Sequence, residues 1–153
     1  MNIFFDFRGR WPQQKRIEQY CYDVLNHFFK GRCKRVLELN LVMKTQMSHL
    51  GFCEGDRNEV TIELSRKYDN ELIPLNTLMK TLAHELIHAK QFFRGEINSV
   101  NDVYAKDRKD YKKVSYRLKP WEHESYMMED FMYKLYWQNQ RYIDLTYKLF
   151  HNA

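Results

Sequence analysis

The sequence predicts an α+β fold in which a small sheet packs on helices. Apolar and polar residues alternate over 36–43 and again over 60–64, which is the period of a half-buried strand. Over 12–30 and 75–93 the apolar residues instead recur every three or four positions, as on one face of an amphipathic helix. The chain has 153 residues, and we expect one domain that covers residues 1–153.

Turn and capping residues place the remaining elements. Gly31 is suited to end the first helix. Residues 50–53 predict a further short strand, which a turn follows. Pro120 is suited to the first turn of a helix predicted over 121–139, and a last helical stretch is predicted at 143–149.

Composition excludes several classes of protein. Hydrophobic residues make up 44% of the chain and charged residues 29%, which excludes a wholly disordered chain. No apolar run approaches the roughly 18 residues that a membrane-spanning helix needs, so we expect no membrane partner. The first eight residues are too polar for a signal peptide, and Cys21, Cys33 and Cys53 form no CxxC pair. We therefore expect a cytoplasmic protein with reduced thiols.

The segment His84-Glu85-Leu86-Ile87-His88 is an HExxH motif inside the long predicted helix. Histidines four positions apart lie on one face of a helix, so both imidazoles can reach a single metal ion. Glu85 is then placed to take a proton from a water molecule that zinc activates. The apolar stripe of the helix lies roughly opposite His84 and His88, so we expect both histidines to face a cleft or solvent.

A zinc site of this kind needs a third protein ligand and leaves one position for water. The candidates are Cys53, Glu122, His123 and Glu124. A helical projection of the segment after Pro120 places Glu124 in the middle of an apolar stripe, Glu122 almost opposite it and His123 to the side. A carboxylate on an apolar face needs a compensating charge, which a metal ion supplies. Glu124 is therefore the predicted third ligand, and the alternative is an exposed glutamate that the helix dipole favours.

Three segments carry a resemblance to a known family. They are Leu82-Ala-His-Glu-Leu-Ile-His-Ala-Lys-Gln91, Arg94-Gly-Glu96 and Tyr116-Arg-Leu-Lys-Pro-Trp-Glu-His-Glu-Ser-Tyr126. These segments resemble the SprT-like metallopeptidases, small proteins found in phage and bacterial genomes. More broadly, they resemble the gluzincin type, the HExxH zinc metallopeptidases whose third ligand is a glutamate. Ser125 stands where the family usually has alanine.

The resemblance implies a minimal zincin-like fold, with a small sheet, an HExxH helix and a C-terminal helix that supplies the last ligand. It implies a Zn²⁺ ion bound by His84, His88 and Glu124, with Glu85 as the general base. The better-known relatives use a third histidine, which keeps His123 as an alternative. Many relatives also end in a cysteine zinc ribbon, a pattern that this sequence lacks.

These residues predict a zinc metallopeptidase that hydrolyses peptide bonds in a protein or peptide substrate. An extended substrate would pair with an edge strand formed by 50–53 or 60–64. The oxyanion that forms during hydrolysis needs a hydrogen-bond donor, and Tyr116 is a candidate because it lies just before the third-ligand helix.

Two other readings belong to different functional classes. The chain could be a non-catalytic zinc-containing structural or binding protein, such as a component of a phage particle. An intact Glu85 argues against that reading, since a structural site has no use for a base. The basic segment 106–119 also suggests a nucleic-acid partner, because basic and aromatic residues alternate there. A phage-encoded protein would be found in the host cytoplasm or in the virion.

Overall fold

The computed structural model describes residues 1–98 and 103–139, and it confirms the α+β fold. The predicted helical stretch at 143–149 lies outside the described residues. In chain order the elements are β1 (Asn2–Arg8), α1 (Gln14–Phe29), β2 (Val36–Gln46), β3 (Gly51–Gly55), β4 (Glu59–Tyr68), β5 (Glu71–Leu72), α2 (Leu75–Phe93), β6 (Ile97–Asn98), β7 (Val103–Tyr104), β8 (Lys109–Asp110) and α3 (Pro120–Tyr133). A 3₁₀ turn at Tyr116–Leu118 precedes α3, and a π-helical turn at Lys134–Gln138 continues it.

The main sheet has the strand order β1-β2-β4-β3, and the short β5 pairs with the end of β4. β1, β2 and β4 run parallel, whereas β3 runs antiparallel to β4. In the described part of the chain β3 therefore forms an edge of the sheet. The alternative that 60–64 forms the edge is wrong, because β2 and β3 occupy both sides of β4 over those residues.

The first strand was not predicted from the sequence. Ile3, Phe5 and Phe7 point toward the core and are partly buried, while the residues between them are exposed. β1 pairs with β2 in a parallel register that sets Asn2 beside Val36. The segment thus has the alternation of a half-buried strand, but the strand with which it pairs lies far along the sequence.

The HExxH helix α2 is the central element of the fold. It packs on α1, on α3 and on strands β3 and β4. From Leu82 to Phe93 every residue of α2 is buried, including the polar ones. Tyr20 of α1 donates a hydrogen bond to the Met79 carbonyl at 3.0 Å, which joins the two helices. Among the described residues, no helix combines the length and apolarity that crossing a membrane requires.

Two glycines test the unexpected pairing of β1 with β2. Gly9 and Gly31 both have positive φ angles, 87° and 72°. A Cβ atom on Gly9 would lie 2.3 Å from the Met43 carbonyl oxygen of β2, whereas one on Gly31 would meet nothing within 4 Å. Gly9→Ala should therefore lower the free energy of unfolding by at least about 1 kcal/mol more than Gly31→Ala, because steric overlap adds to backbone strain. Urea denaturation of both variants measures the difference, and equal losses would contradict the close approach of Gly9 to β2.

Candidate metal and catalytic site

Both histidines of the motif are buried and face each other. Their Nε2 atoms lie 3.2 Å apart, and the side chains of His84 and His88 retain 10% and 7% of their exposure. The prediction that both histidines face a cleft is confirmed, because each ring lines a cavity. A position open to solvent is not observed, since α3 covers this side of α2.

Glu122 of α3 completes the cluster. One carboxylate oxygen lies 3.0 Å from His88 Nε2, and the other lies 3.3 Å from His84 Nε2. The donor atoms of His84, His88 and Glu122 all lie within 4.8 Å of one another, so these three residues could hold a metal ion. Oε2 of Glu122 is buried and has no hydrogen-bond partner in the described part of the chain, which is costly for a carboxylate unless a cation lies beside it. The residues present therefore fit a zinc ion.

The outer nitrogens of both rings are held by hydrogen-bond acceptors. His84 Nδ1 lies 2.8 Å from Glu129 Oε2, and His88 Nδ1 lies 2.8 Å from Gln91 Oε1. Gln91 donates its amide hydrogen to the Trp121 carbonyl at 2.9 Å, which turns its Oε1 toward His88. When the rings are neutral, their protons therefore sit on the Nδ1 atoms and both Nε2 lone pairs are directed toward Glu122, as metal ligation requires.

The charges around His84 make the cluster attractive to a cation. Burial lowers the pKa of His84, but the adjacent carboxylates of Glu122 and Glu129 outweigh burial and raise the pKa to about 9. Burial raises the pKa of Glu122, but the two adjacent histidines and the Tyr116 hydroxyl outweigh burial and lower the pKa to about 2. Glu122 is thus an anion at neutral pH. Its negative charge favours one positive charge within the cluster, carried either by a proton or by a metal ion.

Glu124 is not part of the cluster, which corrects its prediction as the third ligand. Its carboxylate contacts the Lys90 Nζ and lies 3.5 Å from the Lys106 Nζ. The charge of Glu124 is compensated by these lysines, and Glu122 takes its place beside the histidines.

The predicted helix phase was wrong for a physical reason. The projection used Phe131 as a core residue, but Phe131 is 52% exposed. The face of α3 that packs on α2 instead carries Glu122, Ser125 and Glu129. A helical projection based on apolar residues does not detect polar side chains of this kind. Their spacing of three and four positions is the sequence signal that could have found them.

Two other candidates for the third ligand lie outside the cluster. His123 is exposed on the outer side of α3. Cys53 of β3 lines the cleft beside the histidines, but it does not join the group of donor atoms. Burial and the nearby carboxylates of Glu85 and Glu122 raise the pKa of Cys53, so it remains a thiol.

Glu85 lies between the histidines and the edge strand. Its side chain is buried, and burial raises its pKa, although both histidines oppose the shift. A Cβ atom on Gly51 would lie 2.9 Å from Glu85 Oε1, so the glycine gives the carboxylate room against β3. A carboxylate with a raised pKa in this position is suited to accept and release a proton.

The cleft beside the cluster has two halves with different chemistry, which meet at Gly51, Glu85 and Tyr116. One half is a cavity of about 290 Å³ with an apolar lining. The other half is larger, about 550 Å³, and more of its lining residues carry polar or charged groups. The apolar half includes Cys53, Phe92, Ile97 and Trp121, and the polar half includes His49, Thr77, Lys80, Thr81 and Glu129.

Tyr116 stands at the junction of the two halves, in the 3₁₀ turn before α3. Partial burial and a hydrogen bond to Glu122 raise the pKa of Tyr116. Its hydroxyl therefore keeps its proton at neutral pH and donates a hydrogen bond to Glu122, beside the histidines.

The family of the chain follows from a comparison with protein-family models. The model of the SprT-like family matches residues 18–114, more than half of the chain. The chain belongs to the SprT-like family. This family is related to the zincin-like metallopeptidases, which agrees with the clustered histidines and glutamate. No curated protein matches the chain.

The family match includes the HExxH motif of this SprT-like protein but ends before α3. Glu122 is therefore identified by its geometry and not by the family match. The same holds for Glu129, which reaches His84 from α3.

Exchange of the two glutamates for glutamine separates their roles. Glu122→Gln should weaken zinc binding by at least about 100-fold, because outer-shell contacts alone contribute 10- to 100-fold and a direct ligand contributes more. Glu124→Gln should lower the melting temperature through the loss of a contact with buried Lys90, while zinc affinity stays within a few-fold of wild type. Zinc titration with a competing chelator and thermal melts measure both effects. Loss of zinc binding in Glu124→Gln alone would restore the original prediction.

Proposed function

We propose that this protein is a zinc-dependent metallopeptidase that hydrolyses peptide bonds in protein or peptide substrates. The observation that carries the proposal is the convergence of three ligand atoms, His84 Nε2, His88 Nε2 and a Glu122 oxygen, beside the unliganded carboxylate of Glu85. Three protein ligands leave one coordination position open, which is typical of catalytic and not of structural zinc sites.

Glu85 is the general base. When bound, zinc polarises the substrate carbonyl and lowers the pKa of water, and the residues around it complete the chemistry. Glu85 accepts the proton of the attacking water and delivers it to the nitrogen of the leaving amine. Its buried position and raised pKa support this role.

The edge strand β3 binds the substrate backbone. The Ser65 amide donates to the Leu50 carbonyl at 2.9 Å, so in this antiparallel register the backbone groups of Gly51, Cys53 and Gly55 point away from β4. An extended peptide can pair with those groups, and Gly51 and Cys53 lie at the cleft. Pairing there places a peptide bond next to Glu85.

The two halves of the cleft select the side chains next to that bond. The half with Phe92, Ile97 and Trp121 accepts an apolar side chain, since it removes apolar surface from water. The half with Lys80 and Glu129 offers charged groups to a polar side chain. Cleavage sites in an unfolded protein should therefore carry a large apolar residue on one side of the broken bond.

Tyr116 supplies the hydrogen-bond donor for the oxyanion. Tyr116→Phe removes only the hydroxyl group, so we expect kcat to fall by about 100- to 1,000-fold, the range measured for the loss of one such donor, while KM and zinc content change little. Steady-state kinetics on a peptide cut by the wild-type protein measure the split. An unchanged kcat would assign Tyr116 to packing.

Glu85→Gln tests the enzymatic function. Glutamine keeps the size of the side chain but cannot accept the proton, so hydrolysis of casein should fall by about 100-fold or more while zinc content and melting temperature stay near wild type. The product fragments, identified by mass spectrometry, also show which residues flank the cleavage sites.

The control is the wild-type protein treated with a zinc chelator and then reloaded with zinc. Activity that survives Glu85→Gln or chelation would come from a contaminating protease. Zinc binding without any hydrolysis would favour the alternative of a non-catalytic structural or binding protein.

A further inference from the structure

A cationic concavity lies at the far end of α2, past the last turn of the helix. Three segments meet there: the loop after α1, the turn between β3 and β4, and the residue that follows α2. The cavity measures about 520 Å³ and has no acidic residue in its lining. Its basic residues are Lys30, Arg32, Lys34, Arg35, Arg57 and Arg94.

Most of these charges have no ionic partner. Arg94 lies 3.8 Å from a carboxylate oxygen of Glu96, and within residues 1–98 and 103–139 the other five basic side chains form no ion pair. By contrast, the basic residues near the HExxH motif are paired: Lys90 and Lys106 share two carboxylates.

The helix ends that border the concavity offset only a small part of this charge. α1 ends at Phe29 and α2 at Phe93, and residues at both C-termini line the concavity. A helix C-terminus is equivalent to about half a negative charge, so two of them offset roughly one of the six cations. The excess positive charge therefore exceeds what stabilisation of the helix ends requires.

Arg35 fixes the shape of the concavity. Its guanidinium donates hydrogen bonds to the Arg57 carbonyl at 2.5 Å and to the Phe93 carbonyl at 2.6 Å. One side chain thus joins all three segments through their backbone. The surrounding charges are held close together before any ligand arrives, which lowers the entropy lost on binding.

We propose that this concavity binds the phosphate groups of an oligophosphate, either a free polyphosphate or the backbone of a single-stranded nucleic acid. Arginine binds phosphate oxygens through its planar fork of N–H groups, and three of the four arginines here have no carboxylate partner. The volume and the number of cations suit several linked phosphates better than one small anion. None of the lining residues lines the cleft at Glu85, so this site is separate from the proposed peptidase site.

The segment 106–119, which the sequence suggested for nucleic acid, is less suited to this ligand. Lys106 forms ion pairs with Glu96 and Glu124. Asp107 and Asp110 lie within the same segment and reduce its positive charge. Its lysines nevertheless provide a matched control for the concavity.

Two triple variants of the full chain test the proposal. One replaces Arg32, Lys34 and Arg57 with glutamine, and the other replaces Lys109, Lys112 and Lys113 with glutamine. Each removes three positive charges, so the net charge falls from +5 to +2 in both. All six side chains are exposed, and we expect zinc content and melting temperature to stay near wild type.

The probes are inorganic tripolyphosphate, measured by calorimetry, and a fluorescein-labelled 12-nucleotide oligothymidylate, measured by anisotropy in 50 mM salt. The concavity variant should bind either probe at least about tenfold more weakly, and its plot of log K against log salt for the oligonucleotide should flatten by about 2, since each contact on a single strand contributes about 0.7. The control variant should change binding by less than about threefold.

Comparison of the two probes also identifies the source of the phosphate groups. A loss confined to tripolyphosphate assigns the site to free polyphosphates, and a loss of both probes assigns it to a nucleic-acid backbone. Equal weakening in the two variants would reduce the effect to net charge and overturn the proposal. Failure of the wild-type protein to bind either probe would overturn it as well. Peptidase activity is not part of this test, so the two proposals stand or fall separately.

Discussion

The buried contact of Glu122 with two imidazole nitrogens is the constraint on which the rest of this site depends. The three groups present lone pairs to one another within hydrogen-bond distance, and the outer nitrogens of both rings are committed to Glu129 and Gln91. Such an arrangement is stable in a low-dielectric interior only when a positive charge lies at its centre. The raised pKa of His84 and the lowered pKa of Glu122 also indicate that this position favours a positive charge.

The packing of α3 on α2 follows from that constraint. Met132 and Tyr133 of α3 join the apolar core that α2 also lines, and polar contacts between the two helices add to that packing. Gln91 ties the end of α2 to the backbone of Trp121, one residue before the ligand. Lys90, buried and paired with Glu124 and Glu96, holds the next turn of α3 and the segment after α2. This network holds the Glu122 side chain in position beside the histidines, and its polar character makes the site difficult to recognise from hydrophobicity.

The sequence predicted the elements whose structure depends on residues close together in the chain. The predicted bounds of α2 agree with the structure because its periodicity, its cap and its motif lie within 20 consecutive residues. β1 was missed because its register depends on β2, more than 30 residues away. The third residue of the cluster was misassigned by two positions because exposed Phe131 was counted in the core face, while the inner face of α3 also carries polar Glu122 and Ser125. The cationic concavity is formed by three segments that lie far apart in the sequence, so no single segment predicts it.

The most direct test of the account is a crystal structure of the zinc-loaded protein with anomalous data collected at the zinc edge. The account predicts one strong anomalous peak, about 2.0–2.2 Å from His84 Nε2, His88 Nε2 and a carboxylate oxygen of Glu122. Glu85 should lie beside that peak without binding it. A peak ligated by Glu124, His123 or Cys53, or the absence of a peak at the two histidines, would contradict the central claim.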